Sequence, residues 1–563
     1  MTTFITGYGV LRVITRHIPY NACKTPESEQ GFERLDGGVG EIGNPDAFLM
    51  CGIVCVTVYA QFYSLSAGVG AAANVILCAV CGVIVWIDRQ VFAETVRRVI
   101  SAEHFGCLKL CAWIGLFLLF AYGTSRGMIH YDTGLYHAQS IRWIEEYGVV
   151  KGLGNLHGRL AYNSASFALS ALYSMVFLGG QSYHCTAGLL AFILALVCLE
   201  LLGHIRAGRL RTSDFARVMC VYYLVNIFDE MVSPASDYYM VLLTFYLVIR
   251  WLGLLEREEK AVLPYALLSV LGVFLMTVKL SAALILMLVI YPAGCLLREK
   301  KWREIAAYLG LGFVTALPFF IRNVLISGWL VYPFTQVDLF DVVWKIPKGL
   351  ADYDAREIQV WGRGYTDVLQ FDLPVYQWLP GWFRGLAGSD KAFVLAAAAS
   401  VLFLLVYAAG MVFGWWQRRW EFLLVQGMAA ASFLFWLGTS PLMRYGCVYV
   451  YLTSAVVFGG MYETVLRKWK AVERAVSVLM VLFLFYKGVA LGREMAESYV
   501  NDYWIFQKDY ENYETYSYEI KGIPFYCPTE GDRAGYESFP SSPTQAQIQF
   551  LGEGIEDGFC ISE

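Results

Sequence analysis

The amino-acid sequence predicts an all-α fold, a polytopic transmembrane helical bundle of about 13 spanning helices. Hydrophobic residues make up 57% of the 563 residues and charged residues only 16%, which is typical of chains that have the bilayer as their solvent. A helix is the spanning structure expected here, because it satisfies every backbone amide within its own segment. Apolar runs long enough to span, or nearly so, lie near residues 48–65, 69–87, 107–124, 184–203, 215–230, 236–255, 262–278, 280–297, 305–325, 392–414, 421–438, 447–464 and 473–490.

The positions of the Lys and Arg residues predict how the chain is oriented in the membrane. Clusters of Lys and Arg follow every second apolar run, and such clusters mark cytoplasmic loops. The sequence therefore predicts a cytoplasmic N-terminal segment (1–47), a transmembrane domain (48–490) and an exterior C-terminal tail (491–563). Two exterior loops are expected at about 125–183 and 326–391. This sidedness suggests an integral protein of the bacterial cytoplasmic (inner) membrane with the N-terminus inside.

One apolar run does not fit the alternation. Residues 163–180 would place Asp132 and Asp237 on opposite faces if they crossed the membrane completely. We therefore expect a juxtamembrane or half-inserted helix in the first exterior loop. The tail, rich in Tyr, Glu, Gly and Pro, is expected to form a small ordered appendage.

Composition also excludes some functions. The net charge is -4 and no long basic run is present, so no nucleic-acid partner is expected. The cysteines are mostly scattered singly through apolar segments, where a thiol behaves as a small hydrophobe. Cys527 and Cys560 lie in the polar tail, and whether they pair as a disulfide is open at this stage.

The first exterior loop carries the candidate catalytic acid. It contains SRGMIHYDTGLYHAQSIRW, in which Asp132 follows the end of an apolar run and Tyr136, Gln139 and Trp143 recur at helical spacing. A carboxylate at the membrane surface is able to act as a general base toward an incoming hydroxyl. The alternative is that Asp132 only caps the helix that carries Tyr136 and His137. Both side chains are candidate substrate contacts.

Four more charged residues are candidates for substrate binding. Asp237 opens a helix in FDEMVSPASDYYMVLL, and Lys279 interrupts the apolar LMTVKLSAAL. Arg444 lies in the short connection GTSPLMRYG, and Arg322 closes a helix in PFFIRNVLISGWLVYPF. A lipid phosphate would satisfy cations at this depth, since a charge near the membrane is costly unless it is paired. The alternatives are pairing with protein carboxylates or snorkelling to the headgroups for the cations, and a helix cap for Asp237.

No cofactor is expected. The histidines lack the spacing of a zinc motif such as HExxH, so no metal site is predicted from them. A divalent cation held by Asp237 is an open but less favoured alternative.

The order of these motifs resembles the GT-C superfamily of polytopic membrane glycosyltransferases. The shared features are an acid and a Tyr in the first exterior loop, a second acid opening a later helix, Arg-Asn followed by SGWLVYPF, and a late Arg-Tyr. The resemblance covers about residues 107–490, and the nearest groups are the protein O-mannosyltransferases and the lipid A aminoarabinose transferases.

The resemblance implies inverting transfer of a sugar from a polyprenyl-phosphate-linked donor to a glycan, lipid or protein acceptor on the exterior face. It implies that Asp132 is the base, that Arg444 and Lys279 hold the lipid phosphate, and that Asp237 lies across the cavity. Many members carry a second acid where this chain has Thr133, which favours a site without metal.

Two other classes of function fit a multi-spanning chain. A transporter or lipid flippase should show repeat symmetry or matched broken helices, and no such pairing is visible in the sequence. A ligase or polymerase of surface polysaccharide would depend on Arg and His in a large exterior loop, and the 326–391 loop leaves that alternative open.

Overall fold

A computed structural model describes residues 1–18, 45–100, 107–414 and 419–562. Helices form most of this structure. In the first half they are α1 (Thr2–His17), α2 (Pro45–Tyr63), α3 (Ala71–Ile87), α4 (Arg89–Ile100), α5 (Cys107–Gly123), α6 (Ala138–Glu146), α7 (Leu153–Leu156), α8 (Ala165–Tyr173), α9 (Thr186–Cys198), α10 (Glu200–Ala207), α11 (Thr212–Asn226), α12 (Ser236–Glu256) and α13 (Val262–Val278). In the second half they are α14 (Ile290–Arg298), α15 (Trp302–Ser327), α16 (Lys348–Gly362), α17 (Val375–Gly385), α18 (Gly388–Val412), α19 (Trp420–Thr439), α20 (Met443–Met461) and α21 (Lys470–Glu497).

The described residues contain 9 helices that are long and apolar enough to cross a membrane, or up to 10 if α3 and α4, which meet at 96°, count as one span. This confirms the mostly helical fold and the many apolar helices that the sequence predicts. Four of the predicted runs form shorter helices: α3, α5 and α13 have 17 residues each and α11 has 15. A 17-residue helix is about 26 Å long, somewhat less than a hydrocarbon core of about 30 Å. The number of 13 spans therefore stays a prediction.

The centre of the bundle is formed by α12 and α20. In an 18-residue apolar stretch of each helix, 89% of the residues of α12 are buried and 83% of those of α20 with the turn that follows it. In α21 the buried share is only 6%. α12 packs against α9, α11, α13 and α20. Asp237 and Arg444 lie in the first turns of these two helices, so the same packing that builds the core brings these charged residues together.

Two long connections and the tail gather at the helix ends that carry these charges. We call residues 124–185 the first loop, 328–387 the second loop and 498–562 the tail. The 163–180 run forms α8, which has nine residues and is therefore too short to cross a membrane. α8 is buried between α2 and α6.

The ends of the chain differ from the sequence-based boundaries. The predicted N-terminal segment begins with α1, which packs closely on α2: a side chain at Gly52 would collide with the carbonyl of Thr3. Residues 19–44 of that segment lie outside the described residues. At the other end, α21 continues to Glu497, so the tail begins later than residue 491.

The tail contains the β-structure that an all-α prediction misses. It forms two antiparallel hairpins, β1 (Thr515–Ile520) with β2 (Ile523–Pro528) and β3 (Ile548–Phe550) with β4 (Phe559–Ile561). Lys521 and Gly522 turn the first hairpin with φ of 48° and 79°. Cys527 and Cys560 are buried free thiols, so the disulfide left open by the sequence is not formed.

Candidate functional site

Four charged side chains from distant parts of the sequence meet where the two loops and the tail gather. Arg444 Nη2 donates to Asp132 Oδ2 at 2.8 Å, and Arg444 Nε lies 3.5 Å from Asp237 Oδ2. Lys279 Nζ donates to Asp237 Oδ1. We call these four residues the charged quartet. Asp132 and Arg444 thus share one site, which is the geometry that the sequence-based hypothesis requires.

Local backbone structure explains how the two acids are presented. Asp132 precedes a short π-helix, Thr133–His137, and its side chain makes no capping hydrogen bond. Asp237 lies in the first turn of α12, whose N-cap residue is Ala235. Helix capping, the alternative considered for both acids, is therefore not what their side chains do here. Both carboxylates instead pair with cations.

The two cations lie where helices begin or end. Lys279 follows α13 in extended backbone with φ of -153°, and a 3₁₀ segment follows it. Arg444 is in the first turn of α20, close to a kink at Gly446. A side chain at Gly446 would collide with the indole of Trp436, so only glycine lets α20 approach α19 this closely. The kink and this close contact fix the position from which Arg444 reaches both acids.

His130 is a further member of the site that the sequence analysis considered only as a metal ligand. Its Nδ1 accepts a hydrogen bond from the Asp132 amide at 3.0 Å, and its ring contacts the Arg444 guanidinium. Burial, and then the positive charge of Arg444, lower the pKa of His130 below its ordinary value, against the opposing effect of Asp132. The imidazole is therefore neutral at neutral pH. It adds no charge to the two acids and two cations of the charged quartet.

The charged quartet lines a cavity of about 620 Å³. Tyr136 lines it as well. The walls come from the first loop, the ends of α15 and α19, the second loop and the tail, and many of the lining side chains are aromatic. A cavity of this size accommodates a small organic group, with apolar walls and a few converging charges.

Two predicted contact residues lie behind the cavity wall. His137 is buried, 5.5 Å from the Phe167 ring centroid and 3.3 Å from Thr133 Oγ1. Neighbouring residues on a helix point about 100° apart, so when Tyr136 faces the cavity His137 turns away from it. Arg322 is also buried, with Nη1 donating to Ser64 Oγ at 2.5 Å. In this structure His137 and Arg322 lie behind the residues that line the cavity, and their predicted contacts with substrate stay predictions.

Arg322 supports the wall through two asparagines. Its Nε donates to Asn163 Oδ1 at 3.2 Å, and Asn163 Nδ2 donates to Asn323 Oδ1 at 3.0 Å. Both asparagines line the cavity.

Across the cavity, Arg159 joins the first loop to the second. Its guanidinium pairs with Asp354 at 3.0 Å and with Glu357 at 2.5 Å. This pairing uses its charge within the protein. Within the described ranges, no group of three or more His, Cys, Asp or Glu side chains is placed to hold a metal ion.

The fold and the site define a helical protein with a charged cavity at one end of its bundle. Nine of the helices in the described residues are long and apolar enough to cross a membrane. The chain belongs to the DUF8201 family, described as a domain of unknown function, which matches residues 1–451. The match includes the charged quartet and both loops and ends before the tail. No curated protein and no solved structure matches the chain.

Proposed function

We propose that this protein is a membrane glycosyltransferase that moves a sugar from a polyprenyl-phosphate-linked donor to a hydroxyl acceptor, with inversion at the anomeric carbon. The observation that supports this most directly is the 2.8 Å contact between Asp132 and Arg444 on the wall of the cavity. The reaction needs a carboxylate for the attacking hydroxyl and cations for the departing phosphate, and the charged quartet supplies both.

In the proposed reaction the acceptor oxygen attacks the anomeric carbon and its proton passes to the Asp132 carboxylate. The bond between the anomeric carbon and the phosphate oxygen breaks, and the electron pair leaves with the polyprenyl phosphate. Arg444 and Lys279 stabilise the charge that develops on that oxygen. A single displacement of this kind inverts the configuration.

Before substrate binds, Arg444 and Lys279 form ion pairs within the protein. Both already pair with protein carboxylates, the alternative that the sequence analysis left open. A donor phosphate that competes for Arg444 would draw it away from Asp132. Losing that contact frees the Asp132 carboxylate to accept a hydrogen bond from the attacking hydroxyl. Donor binding would thereby prepare the base for the acceptor.

The proposal places the protein in the bacterial cytoplasmic membrane, with the N-terminus inside and the cavity and tail outside. The distribution of Lys and Arg between alternate loops supports this orientation. Arg419 and Arg467 belong to two of the clusters expected on the cytoplasmic face, and both lie within 3.7 Å of Glu463.

The test is sugar transfer by the full chain reconstituted in lipid, using a panel of undecaprenyl-phosphate-linked sugars and membrane-extracted glycans as acceptors. Asp132→Asn should abolish transfer while the protein still expresses and folds, with a melting temperature lowered only by the loss of the ion pair to Arg444. Asp341→Asn, which removes an exposed carboxylate of the second loop, is the matched control and should keep full turnover. Normal turnover by Asp132→Asn would refute the assignment of the base. Movement of the intact donor across the bilayer without cleavage would instead identify a flippase.

A further inference from the structure

The tail is attached directly to the segment that carries Asp132. The amides of Ala534 and Gly535 donate to the carbonyl of Gly134 at 3.2 and 2.9 Å. Gln139 Nε2 donates to the carbonyls of Gly535 and Ser538 at 2.8 and 2.9 Å. These bonds fix the tail segment 531–536, which we call the tail loop, against the helical segment that starts at Asp132.

Close packing also fixes this arrangement. A side chain at Gly134 would lie 2.7 Å from the Tyr513 hydroxyl, so the tail packs closely against the first loop and a larger residue there would displace the Tyr513 ring. Gly535 has a φ of 75°, a left-handed conformation that favours glycine. The tail loop therefore has a defined position relative to the proposed base.

The tail loop contributes an acid to the cavity. Asp532 lines the cavity together with Asp132, and it accepts a hydrogen bond from the Tyr131 hydroxyl. In the described part of the chain its carboxylate forms no ion pair. The two acids in the charged quartet, by contrast, both form ion pairs with cations.

Tyr131 offers a partly free aromatic surface beside this carboxylate. The residue is 49% exposed, and the Arg533 guanidinium carbon lies 4.6 Å from its ring centroid. A carboxylate accepts hydrogen bonds from hydroxyl groups, and an aromatic face packs against the apolar C–H face of a sugar ring. Together they present the surface chemistry that a sugar needs.

A series of contacts runs from Arg444 of the charged quartet to this surface, with Asp132 between them. Arg444 contacts Asp132, the next residue toward the N-terminus is Tyr131, and Tyr131 contacts Asp532. An acceptor hydroxyl must reach Asp132 from the side that the donor phosphate does not occupy. Tyr131 and the tail form a part of the cavity wall that does not include Arg444 or Lys279, and so offer such a side.

We propose that Asp532 and Tyr131 form a sugar-binding subsite for the acceptor, so that the tail selects acceptors that are polyhydroxylated next to the attacking hydroxyl. The assignment to the acceptor rests on the proposed transferase function, whereas the binding of a sugar at this place does not. The tail would then be part of the substrate site rather than only an appendage.

The experiment measures binding of methyl glycosides of glucose, galactose, mannose and N-acetylglucosamine to the full chain in nanodiscs, by saturation-transfer difference NMR. We expect at least one of them to bind the wild type and Asp532→Ala to weaken that binding about tenfold or more, as the loss of a charged hydrogen-bond acceptor implies. Glu530→Ala, which removes an exposed acid two residues away, is the matched control and should bind as the wild type does. Binding of undecaprenyl phosphate should be equal in all three proteins.

Asp532→Ala could weaken binding only because it releases the tail, and faster hydrogen exchange at the Ala534 and Gly535 amides would show such a release. Tyr131→Phe is a second variant that tests the subsite in that case. It removes the bond to Asp532 and keeps the ring, so glycoside binding should weaken while the tail stays docked. Unchanged binding in both variants, or no binding of any glycoside to the wild type, would overturn the subsite. Asp532-dependent binding in a protein that transfers no sugar would refute the transferase and leave the subsite standing.

Discussion

The charged quartet predicts a specific pattern of stability in a double-mutant cycle at Asp237 and Lys279. Asp237 Oδ2 lies 3.5 Å from Arg444 Nε, where the Coulomb attraction is worth about 5 kcal/mol at an effective dielectric constant of about 20, before desolvation. Removing one partner of a buried ion pair costs about 3–5 kcal/mol. The Lys279 and Arg444 side chains keep 22% and 26% of their exposure. We therefore expect Asp237→Asn to lower the free energy of unfolding by about 3 kcal/mol, at the lower end of that range.

The second substitution removes the cation that Asp237→Asn leaves without a partner. We expect Asp237→Asn/Lys279→Met to be destabilised less than the sum of the single variants, by about 1–3 kcal/mol of coupling. The assay is SDS titration of the four proteins in mixed micelles, followed by tryptophan fluorescence. A double variant destabilised by the full sum would show that the two side chains are not coupled and would refute the reasoning.

Three further predictions follow from other contacts. Arg444→Ala should weaken binding of undecaprenyl phosphate about tenfold or more in a nanodisc binding assay and leave glycoside binding unchanged; equal loss of both would count against a phosphate role. Burial lowers the pKa of His184 to about 4 from 6.5, so the unfolded chain binds a proton first and this residue alone should remove about 3 kcal/mol of stability as the pH falls from 6.5 to 4. His184→Gln should therefore lose about 3 kcal/mol less than the wild type over that range in denaturation titrations at each pH, and an equal loss in both proteins would contradict the prediction. Arg126 is buried and donates to Asp229 and Ser498 at 3.1 and 2.8 Å, so Arg126→Met should release the start of the tail and raise its protease sensitivity; unaltered cleavage would contradict that role.

The helical fold was predictable because its signal is local and strong. Each of the predicted apolar runs coincides with a helix, since a run of apolar residues in lipid has no other way to satisfy its backbone. The count of spans was less predictable, because helix length depends on where tertiary contacts end a helix. α11 ends at Asn226, for example, several residues before the apolar run around it stops.

The members of the charged quartet were predictable from their unusual positions, but their contacts were not. Asp132, Asp237, Lys279 and Arg444 stand out because each places a charge at the edge of an apolar run. The pairing of Arg444 with both acids depends on how α12 and α20 pack, which no short motif encodes. His130 was missed as a site residue for the same reason: its only sequence signal is that it precedes Asp132 by two positions.

In the tail, one feature could have been predicted from the sequence and another could not. The turn at Lys521 and Gly522, flanked by aromatic and β-branched residues, is a recognisable hairpin signal, so β1 and β2 could have been predicted. The role of Asp532 could not, because its place in the cavity depends on the docking of a segment 400 residues away from Asp132 along the chain. An acid in a polar tail has no sequence feature that separates it from a solvated one.

The most direct test of the central claim is a structure of Asp132→Asn in lipid nanodiscs with bound undecaprenyl phosphate. The account predicts the phosphate within hydrogen-bonding distance of the Arg444 guanidinium and the Lys279 ammonium, with residue 132 facing the open side of the cavity. A phosphate bound elsewhere on the protein, with Arg444 and Lys279 both still on Asp237, would contradict it.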